Sequence, residues 1–245
     1  MAGKIYTSKI STLSYDYMKD GSFNPTSCLR VAQAIAEEWS ISSGFYVRDL
    51  MKSGRVVMMV DSVCEFGERG LAYEGYVNGE YWPAPPQGRL IVCNYRFTDS
   101  KGGLIFSMVN YYMAVDLKER RALYPEDLST PLTREFSDEP CPVKNPSFEI
   151  VHDLKLTEYE KRVVRRNETD VLGHVNNTCY APFATDTFTG DDFDRGFSRM
   201  VIRFLSELRK GEEMSIMKGE DDKRIVVTGI KPSGKTSFET LFERR

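Results

Sequence analysis

The sequence predicts an α+β fold in which one structural unit occurs twice, each copy a curved antiparallel sheet around a central helix. The 245 residues allow one large domain or two of about 120 residues. Hydrophobic residues make up 41% of the chain, which is enough to bury a core. Both halves show the same order of signals, namely one strand, one helix and then several strands.

The first half begins with a strand signal near residues 4–14, followed by a helix that starts at Pro25. Asn24 can cap this helix, and proline suits its first position. Gly44, after two serines, ends it. Apolar residues recur along the helix at a spacing that places them on one face. They are Cys28, Ala32, Ile35 and Trp39.

Strand-like runs rich in Val, Ile, Tyr and Phe follow the helix. They cover residues 55–66, 71–81, 89–98 and 104–115, with turn-rich breaks at 82–88 and 99–103 and a charged turn at 116–128. A proline-rich segment without periodicity then reads as a linker. We therefore expect an N-terminal unit over 1–136, a linker over 137–150 and a C-terminal unit over 151–245.

The second half repeats this plan without visible sequence identity to the first. A strand at 161–168 leads to a polar turn at 170–177 and a helical stretch that runs to about residue 188. The remaining strands are expected at 198–208, 213–218, 224–230 and 236–243.

Composition and charge exclude several classes of function. The formal charge of −3 argues against a nucleic-acid surface as the main role. Five scattered cysteines without CxxC spacing fit reduced thiols in the cytoplasm, not a disulfide framework or a zinc site. The N-terminus lacks the apolar core of a signal peptide, and no apolar run approaches the roughly 20 residues of a membrane span. We therefore expect a cytoplasmic protein.

The polar turn carries the chemistry. A carboxylate, an imidazole and two amides lie between Asp170 and Asn177, in a chain that has only two histidines. A carboxylate such as Asp170 can activate water or attack a thioester carbonyl. Backbone N–H groups near residues 175–178 can stabilise the oxyanion at a helix start, and His174 can orient substrate, move a proton or polarise the carbonyl. A turn of this composition also often only caps a helix.

The stretch from Asp170 to Tyr180 resembles the active-site turn of hotdog-fold thioesterases. The chain as a whole is similar to the bacterial branch of the acyl-ACP thioesterases, which carry two hotdog units in one chain. Three further stretches support this resemblance: 109–128 at the end of the first unit, 138–142 in the linker, and 203–213 around the position of the family's catalytic glutamate.

This resemblance implies hydrolysis of fatty acyl-ACP thioesters, which releases free fatty acid and ends chain elongation. The catalytic residues would be Asp170, His174 and Glu207, in the second unit, while the first unit shapes the acyl pocket. The residues implied in substrate binding are Gly173, Asn176 and Asn177. The resemblance implies no metal and no organic cofactor, and acyl carrier protein as the partner. It leaves the oligomeric state open, with a homodimer as the candidate assembly.

Three positions depart from the family. Leu172 stands where the family usually has Asn, which removes a polar contact with substrate or water. Leu208 stands where plant members have Cys, so a cysteine nucleophile is excluded there. Pro182 stands where Gly is common, so the second helix is expected to start late or kink. These departures keep two alternatives open, an acyl-CoA thioesterase and a catalytically weak protein that binds acyl chains.

Other signals have simpler interpretations. Residues 229–236 fit the Walker A pattern, but a strand-like segment follows them where a nucleotide site needs a helix, so we expect a hairpin. Cys179 is expected to be a small buried residue, and His152 a surface residue. The basic stretch 161–166 could meet an acidic carrier protein, although solvated charge is the simpler explanation.

Overall fold

The computed structural model describes residues 4–67 and 73–245. The chain divides into two compact units, the first reaching from the N-terminus to Asn24 and including Arg30–Pro146, the second made of Pro25–Leu29 and Ser147–Arg245. Most of the expected linker thus belongs to the first unit, and the assignment of an acyl pocket and a catalytic site to separate units stays a prediction. No helix among the described residues has the length and apolarity needed to cross a membrane.

The first unit is an antiparallel sheet with two helices. Its strands pair in the order β1-β3-β4-β5-β2, and β6 pairs with β5. The first two residues of the strand predicted at 71–81 lie outside the described residues. The elements are β1 (Tyr6–Ser11), α1 (Cys28–Ser42), α2 (Val47–Lys52), β2 (Arg55–Phe66), β3 (Tyr76–Gln87), β4 (Leu90–Thr98), β5 (Leu104–Asp116) and β6 (Arg121–Ala122).

Helix α1 packs against β3, as its apolar stripe predicts. All four stripe residues are buried. A Cβ atom at Gly79 would lie 2.8 Å from Cδ1 of Ile35, and the rings of Trp39 and Tyr81 are 5.1 Å apart. A glycine on β3 therefore lets the helix approach the sheet closely. A 3₁₀ turn at Pro25–Ser27 precedes α1, so the α-helix starts three residues later than expected.

The break predicted at residues 82–88 is wrong. β3 continues to Gln87, and Pro83 pairs with Cys93 of β4. On its other side β3 is paired by β1 only as far as Tyr81, so among the described residues the proline-rich end has one neighbouring strand. A proline has no N–H to donate, and at a free strand edge no acceptor requires one.

The second unit repeats the plan of the first, which confirms the predicted architectural duplication. Its strands pair antiparallel in the order β7-β9-β10-β11-β8, the same order relative to sequence as in the first unit. The elements are β7 (Thr157–Val163), α3 (Tyr180–Thr185), α4 (Gly190–Arg195), β8 (Phe197–Phe204), β9 (Glu213–Glu220), β10 (Arg224–Ile230) and β11 (Thr236–Arg244).

The helix of the second unit is much shorter than expected. A 3₁₀ turn at Asn177–Cys179 comes first, and α3 then has only six residues. Pro182 is the third residue of α3, where an N–H has no intrahelical acceptor, so the proline is tolerated and the helix starts late, as expected. Thr189 caps α4 through its hydroxyl, which accepts from the N–H of Asp192, so another helix starts where the helical stretch was expected to end.

The segment that fits the Walker A pattern is a β-hairpin, as expected. The N–H of Lys231 donates to the carbonyl of Lys235 at 2.9 Å, and the N–H of Gly234 donates to the carbonyl of Lys231 at 2.8 Å. β11 follows directly, so no helix N-terminus is present to meet a phosphate. The pairing register of the two strands shifts between Gly229 and Ile230, which marks a β-bulge at the base of the hairpin.

We predict that Gly229→Ala destabilises the protein. A Cβ atom there would lie 2.3 Å from Cε1 of Phe238, a buried ring that cannot swing away. Overpacking of this kind costs about 1–3 kcal/mol of unfolding free energy, measurable by urea denaturation. Gly190→Ala is the matched control, since nothing lies within 4 Å of that Cβ position. Equal stability of the two variants would contradict the prediction.

Candidate active site

The polar turn is built by its own side chains and backbone. The N–H of Gly173 donates to the carbonyl of Asp170 at 3.0 Å, and the N–H of Asp170 donates to the carbonyl of His174 at 2.8 Å. Gly173 has φ of 76°, which only glycine adopts without strain. Oδ1 of Asp170 accepts from the N–H groups of Leu172 at 2.8 Å and His174 at 3.3 Å. One carboxylate oxygen of Asp170 is therefore engaged in shaping the turn.

The first unit contains the same turn, without an acid or an imidazole at the two positions that correspond to Asp170 and His174. Met18 and Ser22 stand 152 positions before Asp170 and His174, and the N–H of Met18 donates to the carbonyl of Ser22 at 2.7 Å. Gly21, with φ of 83°, is the counterpart of Gly173 and also closes the turn, by a bond of 2.9 Å to the carbonyl of Met18. The two units share this scaffold, and only the second carries an imidazole on it.

The buried carboxylate of Glu168 stabilises the turn. Glu168 is 8% exposed, and its carboxylate accepts from Arg162 at 2.7 Å and from the N–H of Arg165 at 2.7 Å. Its carbonyl accepts from the N–H of Asn176 at 2.8 Å. The guanidinium of Arg162 also lies 4.2 Å from the ring centroid of Phe183. Charge pairing with Arg162 thus holds Glu168, whose carbonyl joins the two ends of the turn, and the cation–π contact links Arg162 to α3.

The structure brings His174 and Glu207 together. Glu207 lies in the loop after β8, and this loop pairs with the turn through a bond from the N–H of Val175 to the carbonyl of Leu208 at 2.8 Å. Nε2 of His174 lies 3.1 Å from Oε2 of Glu207, without the alignment of a hydrogen bond. Nη2 of Arg209 lies 3.3 Å from the other oxygen of Glu207. The imidazole is 26% and the carboxylate 47% exposed, and Nε2 itself is buried, so water reaches the pair from the side of the carboxylate.

Three other predicted site residues, Asp170, Asn176 and Gly173, shape the turn or leave space beside it. The carboxylate of Asp170 contacts the backbone of the turn and makes no hydrogen bond or ion pair with the imidazole of His174 among the described residues. Oδ1 of Asn176 accepts from the N–H and the hydroxyl of Thr178, which caps the 3₁₀ turn. Nothing lies within 4 Å of a Cβ at Gly173, so space is open above it. The substrate-binding roles of Gly173, Asn176 and Asn177 stay predictions.

Most N–H groups expected to hold an oxyanion are already engaged. Those of Val175, Asn176 and Thr178 donate to the carbonyls of Leu208 and Glu168 and to Oδ1 of Asn176, respectively. In the part of the chain that the structure describes, the N–H of Asn177 makes no hydrogen bond. Of the expected donors, it is the one available to a ligand.

Two basic residues of this site were missed by sequence reasoning. Arg209 pairs with Glu207, and Lys231 of the hairpin donates from Nζ to the carbonyl of Glu207 at 2.6 Å. Lys231 comes from a separate segment, so no local pattern marks it, while Arg209 lies two residues after Glu207 in the same loop. The other histidine, His152, is 60% exposed and lies 3.7 Å from Glu239.

Cys179 lies beside the turn but is not activated. Burial, and then the charge of Glu168, raise the pKa of its thiol. Its Sγ donates to the carbonyl of Glu168 at 3.5 Å. Burial likewise raises the pKa of the Tyr180 phenol well above its usual value.

No group of three or more His, Cys, Asp or Glu side chains suited to a metal ion occurs in residues 4–67 and 73–245.

Comparisons with known proteins identify the fold. No protein-family model and no curated protein sequence matches this chain. Among solved structures it is similar to an acyl-ACP thioesterase from Bacteroides thetaiotaomicron, with 18% identity, 98% of each chain covered and a TM-score of 0.84. It is also similar to the 12:0-ACP thioesterase from Umbellularia californica, with 16% identity, 100% of this chain and 98% of that chain covered, and a TM-score of 0.85.

These matches show that the chain has the double hotdog fold over its full length, as expected. A MaoC-like dehydratase from Phytophthora capsici also matches, with 11% identity, 77% of this chain and 72% of that chain covered, and a TM-score of 0.53. Proteins of different chemistry thus share much of this fold, and the function has to be argued from the site.

We predict that Cys179 reacts slowly with iodoacetamide at neutral pH. The thiolate is the reactive species, and the raised pKa keeps this thiol protonated. Peptide mapping by mass spectrometry measures the rate, with the urea-unfolded protein as the control in which Cys179 should react as an ordinary cysteine. Rapid alkylation of the folded protein would show that the thiol is activated.

Proposed function

We propose that this chain hydrolyses thioesters between fatty acyl groups and acyl carrier protein, which releases free fatty acid and ends chain elongation. The observation that carries the proposal is the 3.1 Å contact between Nε2 of His174 and Oε2 of Glu207, a carboxylate that is 47% exposed to water. The full-length similarity of fold to two acyl-ACP thioesterases supports it. The proposed reaction needs no metal or organic cofactor.

The geometry favours Glu207 over Asp170 as the base that activates water. Glu207 is 47% exposed and touches the imidazole directly. Asp170 commits one oxygen to two backbone N–H groups of its own turn. A general base must lie within hydrogen-bond reach of the proton it takes. Asp170 then contributes by holding His174 in place, and its catalytic role becomes indirect.

In the proposed reaction, Glu207 removes a proton from water, and the hydroxide adds to the thioester carbonyl carbon. His174 polarises that carbonyl, and the N–H of Asn177 stabilises the oxyanion. Collapse of the tetrahedral intermediate breaks the C–S bond. The proton taken by Glu207 returns to the leaving thiolate, so the products are a fatty acid and the free thiol.

An acidic carrier fits the charge next to this site. Arg165, Arg166 and Lys210 are exposed, and none of their side chains has an ion pair among the described residues. The N–H of Gly211 donates to the carbonyl of Val164 at 3.0 Å, so the backbones of Arg165 and Lys210 lie close together. On a chain of net charge −3, such a cluster of free cations favours an acidic partner.

Two other candidates stay open. An acyl-CoA thioesterase would use the same pair of His174 and Glu207 on a different carrier. A weak enzyme that mainly binds acyl chains is favoured by Leu172, which is 42% exposed on the turn and offers no amide to water or substrate.

We also propose a cytoplasmic location. The five cysteines are free thiols, and a reducing compartment such as the cytoplasm keeps them so.

We predict that Glu207→Gln and Asp170→Asn have very different effects. Glu207→Gln removes the base and should lower kcat by about 10²–10⁴-fold at little change in KM. Asp170→Asn keeps a side-chain oxygen for the two N–H groups, so turnover should stay close to that of the wild type. Thiol release from acyl-ACPs of graded chain length measures both. A severe loss in Asp170→Asn with wild-type turnover in Glu207→Gln would assign the base to Asp170.

We predict that reversing two charges weakens recognition of the carrier protein and leaves the hydrolysis of the acyl thioester unchanged. The double variant Arg165→Glu/Arg166→Glu should raise KM for acyl-ACP by about tenfold or more, because like charges across an interface cost several kcal/mol. Turnover of an acyl-pantetheine thioester should be unchanged. Lys101→Glu/Lys118→Glu, two exposed lysines of the first unit, matches the change in net charge. Equal effects of the two double variants, or an equal loss with acyl-pantetheine, would argue against this docking surface.

A further inference from the structure

We propose that Lys231 is a positioning residue that holds the loop of Glu207 so that its carboxylate meets His174. This inference rests on the proposed function, because it concerns the same acid and the same imidazole. Lys231 lies at the start of the hairpin turn that fits the Walker A pattern, a segment for which nucleotide binding is excluded. The structure gives this lysine a different task.

The ammonium group of Lys231 contacts Glu207 itself and Glu212, five residues further along the chain. Nζ donates to the carbonyl of Glu207 at 2.6 Å and lies 3.4 Å from both carboxylate oxygens of Glu212. Its side chain is only 16% exposed, so these contacts are screened less than those of a surface lysine. A lysine ammonium group has three N–H donors, and here they face the carbonyl of Glu207 and the carboxylate of Glu212.

Glu212 connects Lys231 to the backbone of the loop at Arg209. Its Oε2 accepts from the N–H of Arg209 at 2.7 Å. The backbone of Arg209 in turn forms a bridge with that of His174. Lys231 therefore acts on the segment that carries Glu207 at the residue itself and, through Glu212, two residues later.

The base of the same hairpin holds the start of the loop. The carbonyl of Ser237 accepts from the N–H groups of Leu205 at 2.9 Å and Ser206 at 3.0 Å. Ser237 lies at the β-bulge that shifts the register of β10 and β11, and bulges often re-aim groups next to functional sites. The hairpin thus contacts the loop at residues 205–206, at Glu207 and, through Glu212, at Arg209.

Glu207 needs such external support. It lies outside the strands, and its carboxylate contacts only the side chains of His174 and Arg209 among the described residues. The carboxylate is 47% exposed, so neither contact by itself can fix the backbone of Glu207. A displacement of about 1 Å in a reacting group can reduce turnover by about a hundredfold. Loss of the bond from Lys231 to the Glu207 carbonyl should therefore affect catalysis more than folding.

The test compares Lys231→Met with Lys235→Met, at the other end of the same turn, whose side chain makes no hydrogen bond or ion pair among the described residues. Lys231→Met should lower kcat for acyl-ACP by about tenfold to a hundredfold at unchanged KM. Lys235→Met should behave as the wild type, and Lys231→Arg, which keeps the donors, should restore most of the turnover. In the Glu207→Gln background Lys231→Met should cause no further loss, because it acts through Glu207.

Hydrogen exchange provides a readout without turnover. The N–H of Val175 donates to the carbonyl of Leu208, so its protection reports whether the loop stays against the turn. Lys231→Met should lower this protection by about tenfold, while amides of β10 keep theirs, and Lys235→Met should change neither.

The outcomes separate the two proposals. Wild-type protein that hydrolyses no thioester refutes the proposed function, while a selective loss of Val175 protection in Lys231→Met still supports the positioning of the loop. Unchanged kcat with unchanged Val175 protection in Lys231→Met overturns the role of Lys231. An equal fold-loss of turnover in the wild-type and Glu207→Gln backgrounds also overturns it, because the lysine would then act on the whole protein.

Discussion

The site depends on the backbone pairing between the polar turn and the loop after β8. One hydrogen bond, from the N–H of Val175 to the carbonyl of Leu208, and the bridge between His174 and Arg209 join two segments that are far apart in sequence. The side chains of His174 and Glu207 meet only because these backbones are paired. A contact between two partly exposed side chains contributes little by itself, so the backbone pairing determines the geometry of the two groups.

The same scaffold occurs in the first unit and has no imidazole there. Asp16 is buried and pairs with Arg30, as Glu168 pairs with Arg162, and in each case the carbonyl of the acid accepts the N–H of an asparagine. The turn therefore folds with Met18 or with Asp170 at its first position. Its stability comes from the buried acid, the backbone bonds and the glycine, which leaves the exposed positions free to carry chemistry in one unit and none in the other.

Local patterns predicted much of this fold. The strands at 55–66 and 224–230 have the predicted bounds, and the apolar stripe of α1 is buried as its spacing requires. The errors come from long-range context. Prolines end a strand only where a neighbour needs their N–H, and β1 stops before Pro83. Likewise, the N–H groups expected for an oxyanion are used by acceptors in other segments, such as the carbonyl of Leu208.

The sequence by itself determined the turn. Glycine at 173 permits the positive φ, and an aspartate at 170 accepts the N–H groups that follow it, since both are interactions between near neighbours. Only the tertiary structure decided which acid meets His174. That choice depends on the register of β8, β11 and the hairpin, and a shift of one residue would turn each side chain to the other face of the sheet. For the same reason only the fold reveals Lys231, whose contacts are with Glu207 and Glu212.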